Sequence, residues 1–122
     1  MMHVHLVFVT KYRYGVLEKR HLDYMEQVAG HICQGQGAVL KEFNGEPDHV
    51  HMLVEYHPKV QISKLVNSIK GVSSRRLKQN YPSLSKKYYK GTLWSPSYFA
   101  GSVGGAPLET VKKYIEDQKT PS

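Results

Sequence analysis

Two periods organise the apolar positions of this chain. Met2 to Thr10 (Met-His-Val-His-Leu-Val-Phe-Val-Thr) is a β-branched, apolar run of strand length, the signature of a buried strand. It starts almost at residue 1, so a few residues are expected to precede it. From Glu18 to Gln34 the period becomes helical. Leu22, Met25, Val28, Ala29 and Ile32 form one stripe, and Gly35 and Gly37 end it. His21 and His31 read as surface positions on this helix.

Ala38 to Phe43 is a second strand, and Asn44-Gly45-Glu46-Pro47 is a turn that carries it as a hairpin into a third. In that third strand Val50, Met52 and Val54 take the core side. A second helix covers Gln61 to Asn80 with Ile62, Leu65, Val66, Ile69 and Val72 as its stripe, and Tyr81-Pro82 stops it. Ser83 to Leu93 reads as a loop, and Trp94 to Val103 as the last strand. Gly104-Gly105 reads as a hinge, and Pro107 opens a short third helix, Leu108 to Gln118.

The order β-α-β-β-α-β followed by one more helix predicts an α+β, ferredoxin-like fold in a single domain over residues 1–122, with a core sheet in 2–103 and the extra helix in 107–119. In that topology the first and third strands are central neighbours. One sheet face carries the two helices, and the last helix is the candidate cover for the other.

Charge changes the picture. The chain nets +7, but Tyr56 to Leu108 contains no Asp or Glu and holds Lys59, Lys64, Lys70, Arg75, Arg76, Lys78, Lys86, Lys87 and Lys90, a segment of +9 against −2 for the remainder. A one-sign segment in a folded domain makes a positive face suited to a polyanion such as nucleic acid. An acidic membrane surface is a less specific fit. Lys11-Tyr12-Arg13-Tyr14 and Lys86-Lys87-Tyr88-Tyr89-Lys90 interleave cations with rings, a pattern that suits single-stranded nucleic acid because cations track phosphates while rings stack on bases. Each also has a plain reading, as a polar strand end and a solvated loop. The single cysteine, Cys33, excludes a disulfide framework and a zinc-cysteine site. With no signal peptide and no apolar run near ~18 residues, the chain reads as cytoplasmic.

Candidate chemistry centres on Pro47-Asp48-His49-Val50-His51-Met52-Leu53-Val54. Strand residues at i and i+2 leave on one face with Cα atoms roughly 6.7 Å apart, so His49 and His51 can offer two imidazoles to one divalent ion. His3 and His5 duplicate the spacing, but His3 lies near a terminus; His5 could line the same site behind the ligands. On the last helix, Leu108, Val111 and Ile115 form the stripe, and Tyr114 and Gln118 share its edge one turn apart. If that stripe docks on the sheet, Gln118 offers an oxygen ligand and Tyr114 a nucleophile.

Together His5 to Arg13, Pro47 to Val54, Lys-Gly-Val-Ser-Ser-Arg (Lys70 to Arg75) and Tyr-Ile-Glu-Asp-Gln (Tyr114 to Gln118) resemble the HUH single-tyrosine transposases, the small TnpA-like enzymes of insertion sequences that move as single-stranded DNA. The resemblance spans nearly the whole chain in the same order. It implies His49, His51 and Gln118 as ligands of Mg²⁺ or Mn²⁺, Tyr114 as the nucleophile that forms a 5′-phosphotyrosine, and a homodimer in which the tyrosine helix can serve the partner's histidines. It also implies hairpin-bearing single-stranded DNA as substrate, with Lys11, Tyr12, Arg13, Lys70, Arg75 and Arg76 as the expected DNA contacts. Three rivals have different consequences. A non-catalytic nucleic-acid-binding module would ignore chelation and Tyr114→Phe, and a metal-dependent nuclease would cleave without an adduct. A domesticated relative would act on repeated palindromes. Plasmid initiators and relaxases share the chemistry but are usually larger.

Overall fold

The computed structural model describes residues 1–102 and 108–118. Four strands, β1 (Met2–Val9), β2 (Ala38–Glu46), β3 (His49–Tyr56) and β4 (Phe99–Ser102), form one sheet in the order β2-β3-β1-β4 with every pair antiparallel. Helices α1 (Lys19–Gly35) and α2 (Ile62–Asn80) separate the strands as the periodicity predicts. With α4 (Leu108–Glu116) following β4, the expected ferredoxin-like order is the observed one.

Alternation does the sorting. Val4, Leu6 and Phe8 of β1 and Val50, Met52 and Val54 of β3 point toward the helices and pack with Met25, Ala29 and Cys33 of α1 and Leu65, Val66, Ile69 and Leu77 of α2. Burying each of the Val, Leu, Ile, Phe and Met side chains among them stabilises the fold by about 1.5–3 kcal/mol before entropy is counted. The odd positions, His5, Val7 and Val9 of β1 and His49 and His51 of β3, therefore stand on the opposite face. Burial of Cys33 pushes its thiol pKa up to about 11, so it is a core residue and not a nucleophile.

Four local expectations are corrected. Asn44 and Gly45 do not turn; β2 runs through them to Glu46, which pairs with His49, and Pro47-Asp48 makes the two-residue connection. Gly45 is there for space, because a Cβ on it would overlap the Leu22 side chain. His21 is not on the surface but fully buried: it is the N3 residue of a capping box, its Nδ1 accepting the Glu18 N–H at 2.9 Å, and its ring lies edge-on to Tyr81. His31 is exposed as expected.

The 83–93 stretch is not all loop. Pro82 stops α2 and, as a first-turn proline, starts α3 (Pro82–Lys87), which with the following residues buries Leu84, Tyr88 and Leu93. The last strand is shorter than the apolar run: Trp94 makes only an isolated bridge to Thr10, and regular pairing begins at Phe99. Pro96 lacks the N–H that a ladder needs. The expected hinge Gly104-Gly105 and Pro107 lie outside the described residues.

Candidate active site

β3 delivers the histidines, and its neighbours fix their rings. Asp48, one residue before the strand, accepts a hydrogen bond from His49 Nδ1 at 2.8 Å through Oδ1, while its Oδ2 accepts one from Arg13 Nε at 3.3 Å. His49 therefore turns its Nε2 away from the carboxylate, the arrangement of an oriented metal-ligand imidazole. His51 Nε2 lies 3.0 Å from Nδ1 of His5, so one ring nitrogen donates to the other. Burial, then the neighbouring His5 and His49, hold the His51 pKa below the ordinary histidine value, with Glu42 opposing. Neutral imidazoles carry the lone pair a metal requires. Among the described residues no three His, Cys, Asp or Glu side chains gather as a ligand set.

Tyr114 and Gln118 stand on the same sheet face, one strand beyond β1. Phe99 pairs with Val7, whose other neighbour is His51, and the Tyr114 ring packs on Phe99 with centroids 5.7 Å apart. Ser95 donates its N–H to the Val9 carbonyl at 2.7 Å, and Val9 pairs with His49. Two rows result, His51–Val7–Phe99 and His49–Val9–Ser95, each about 10 Å from end to end at ordinary strand spacing. Tyr114 rests at the end of the first row and Gln118 at the end of the second. Val7 and Val9 between them are fully covered.

Serine hydroxyls seat the pair. Ser97 shares a 2.9 Å hydrogen bond with the Tyr114 hydroxyl, and Ser95 and Ser97 donate to Gln118 Oε1 at 3.0 and 3.2 Å. The Gln118 amide returns to the Tyr114 carbonyl at 3.0 Å, which ties the two residues together. Burial raises the Tyr114 pKa above the ordinary phenol value, and the Ser97 bond works in the opposite direction. Among the described residues Gln118 has no hydrogen bond to either histidine.

The cations predicted to contact DNA divide. Lys11-Tyr12-Arg13 forms a tight 3₁₀ turn with φ of 63° at Tyr12 and 56° at Arg13, beside Tyr14, Lys87 and Tyr88. Lys87 lies 4.1 Å from the Tyr14 ring centroid, Tyr88 is buried, and Tyr89 is exposed, so the two basic aromatic segments converge on one surface. Arg13 is drawn toward the site by Asp48. Arg75 and Arg76 are exposed on α2, Arg75 along a groove of about 420 Å³ shared with Lys78 and Gly91. Lys70 is different: its ammonium donates to three carbonyls.

Sequence reasoning passed over Asp48, Ser95 and Ser97. Asp48 had a signal, a carboxylate adjoining a candidate ligand histidine. The serines had none, since nothing local distinguishes them from turn residues.

Comparisons with known proteins show the family and the fold. Residues 1–118 match the family model described as "Transposase IS200 like". The ISDra2 transposase TnpA of Deinococcus radiodurans is 35% identical over 114 residues, covering 93% of this chain and 81% of the relative. The IS200 transposase of Salmonella typhimurium is 31% identical over 118 residues, covering 93% and 74%. A crystal structure of a D. radiodurans protein assigned as a transposase superposes with a TM-score of 0.90 at 32% identity, over 98% of this chain and 92% of that one. A REP-associated tyrosine transposase bound to a REP hairpin shares the fold, with a TM-score of 0.58 at 8% identity over 94% and 62% of the two chains. A chain matched over nearly its whole length by that family model, with two relatives above 30% identity, belongs to the IS200-like transposase family.

Proposed function

We propose that this transposase cleaves and rejoins single-stranded DNA at hairpin-bearing element ends through a covalent 5′-phosphotyrosine on Tyr114. The observation that carries the reading is the pair of rows that sets Tyr114 and Gln118 against His51 and His49 on one sheet face. His49 through the Nε2 that Asp48 leaves open, His51 and Gln118 would hold Mg²⁺ or Mn²⁺. To do so Gln118 would leave both the Ser95 and Ser97 hydroxyls and move toward the histidines, and His51 would use a ring nitrogen not shared with His5. When bound, such an ion supplies charge neutralisation to the scissile phosphate, which otherwise repels a nucleophile.

The chain's own residues do the rest. Tyr114 loses its phenolic proton and its oxygen forms a bond to phosphorus as the bond to the 3′ oxygen breaks; the leaving oxygen takes a proton and becomes a 3′-hydroxyl. The 5′-phosphate stays on the tyrosine as an ester. A second strand's 3′-hydroxyl then attacks that ester and releases the phenol, so rejoining needs no nucleotide cofactor. Ser97 and Phe99 fix the direction of the Tyr114 ring, a positioning contribution to the in-line geometry.

A transposase of the same fold is bound to a REP hairpin, which supports hairpin DNA as the substrate here. The converged Lys11–Arg13 turn and Tyr89-Lys90 segment offer cations and exposed rings to unpaired bases beside it. A homodimer belongs to the same reading.

The test is a denaturing gel of labelled hairpin-bearing single-stranded DNA with the protein and Mn²⁺. Label running with the protein, absent with EDTA and in Tyr114→Phe, is the expected result. Free cleaved DNA from both proteins would identify a hydrolytic nuclease and sink the proposal.

A further inference from the structure

α2 presents Lys70, Ser73 and Ser74 at i, i+3 and i+4, which is one face of a helix. All three hold the segment between α3 and β4. Lys70 Nζ donates to the carbonyls of Ser95 at 2.7 Å, Pro96 at 3.1 Å and Ser97 at 3.3 Å. Ser73 Oγ accepts the Trp94 indole N–H at 2.9 Å, and Ser74 Oγ accepts the Leu93 N–H at 2.9 Å. An ammonium has three donors and three carbonyls take them. Strand pairing does not take these carbonyls, since regular pairing begins only at Phe99. Ser95 is half-buried, while Pro96 and Ser97 are exposed, so what Lys70 adds there is a fixed backbone geometry that water would not impose.

The same segment carries the two hydroxyls that seat Tyr114 and Gln118. We propose that Lys70 is a positioning residue for strand cleavage: by gathering the carbonyls of residues 95–97 it sets Ser95 and Ser97, and through them Tyr114 and Gln118. The proposal rests on the reading of Tyr114 as nucleophile. It removes Lys70 from the phosphate-contacting cations and gives the Lys-Gly-Val-Ser-Ser run a purpose, as a helix face that templates the loop under the active tyrosine.

The full-length chain tests it through Lys70→Met and Lys70→Arg, with Arg75→Ala as the reference for an exposed cation. Arginine serves a phosphate at least as well as lysine, but its planar fork does not converge on three carbonyls. Positioning predicts that both Lys70 variants lower the adduct-forming rate at saturating hairpin DNA by about tenfold or more. It also predicts that Kd and the slope of log K against log[KCl] match wild type. Amide exchange in residues 108–118 accelerates by about tenfold or more as α4 loses its seat. A salt slope reduced by about 0.9 in Lys70→Met and restored in Lys70→Arg would mark a phosphate contact and overturn the proposal. So would unchanged exchange in 108–118. If Lys70→Met does not fold, Lys70→Arg carries the test alone. If wild-type protein forms no adduct, the Tyr114 reading fails, while the exchange measurement still decides what Lys70 does.

Discussion

Replacing Asp48 by alanine removes one acceptor and leaves the rest of the histidine site in place. The His49 Nδ1–Asp48 Oδ1 bond is 2.8 Å long, and the two side chains are 21% and 24% exposed, so it is partly shielded from water. A charge-assisted bond contributes about 1.5–3 kcal/mol; with that exposure the lower half of the range, about 1.5–2 kcal/mol, is the expected loss. At 1.4 kcal/mol per factor of ten, that is about 12- to 30-fold in affinity for an ion held by His49. It falls inside the 10–100-fold span of outer-shell partners of metal-bound histidines. Titration calorimetry with Mn²⁺ reads it directly. Asp48→Asn, which keeps a neutral acceptor, should lose less, about tenfold or below. Arg13→Ala, which strips the other side of Asp48, should stay within about twofold, because the His49 bond survives. The Asp48 backbone carbonyl still accepts the Thr10 N–H at 2.9 Å in every variant, so the turn is retained. Mn²⁺ affinity unchanged in Asp48→Ala but abolished in His49→Ala would refute the reasoning, since it would mean His49 needs no orienting partner.

Further outcomes follow from single contacts. Tyr114→Phe keeps the ring on Phe99 and loses only the Ser97 bond, so thermal unfolding should shift by about 1 kcal/mol or less while the protein–DNA adduct disappears. Gly45→Val meets the end of the half-buried Leu22 side chain, which has to swing aside, and should destabilise by about 1 kcal/mol, read as a lower urea midpoint at constant slope. His21 has its pKa lowered by burial, then by Arg20, with Glu18 opposing. The unfolded chain therefore binds the proton more readily, and stability is full above about pH 6.5 and falls as pH drops below it. Urea melts from pH 7.5 to 5 should show that decline, reduced but not abolished in His21→Gln, because His51 is shifted in the same direction.

Much of the architecture was legible without coordinates because secondary-structure period is a local property. Alternation over residues 49–54 is enough to put Val50, Met52 and Val54 in the core and both histidines on the opposite face. The stripes of α1 and α2, with the strand runs between them, set the element order, and a small menu of packings then leaves one topology. Tyr114 and Gln118 were likewise legible as neighbours, since i and i+4 share a helix face whatever the helix packs on.

Tertiary structure decided what those side chains meet. Period does not say that Gly45 makes room for Leu22 rather than turning the chain, that His21 is sealed beneath Tyr81, or that the Lys70 ammonium reaches the carbonyls of residues 95–97. Each of these depends on a partner distant in sequence, brought near by register and by the path of a loop. The seat of Tyr114 is the clearest case. Ser97 is an unremarkable turn residue until α2 fixes its backbone and β1 sets its distance from the histidines, and hydrogen-bond chemistry, effective only within about 3 Å, responds to that placement and not to sequence spacing.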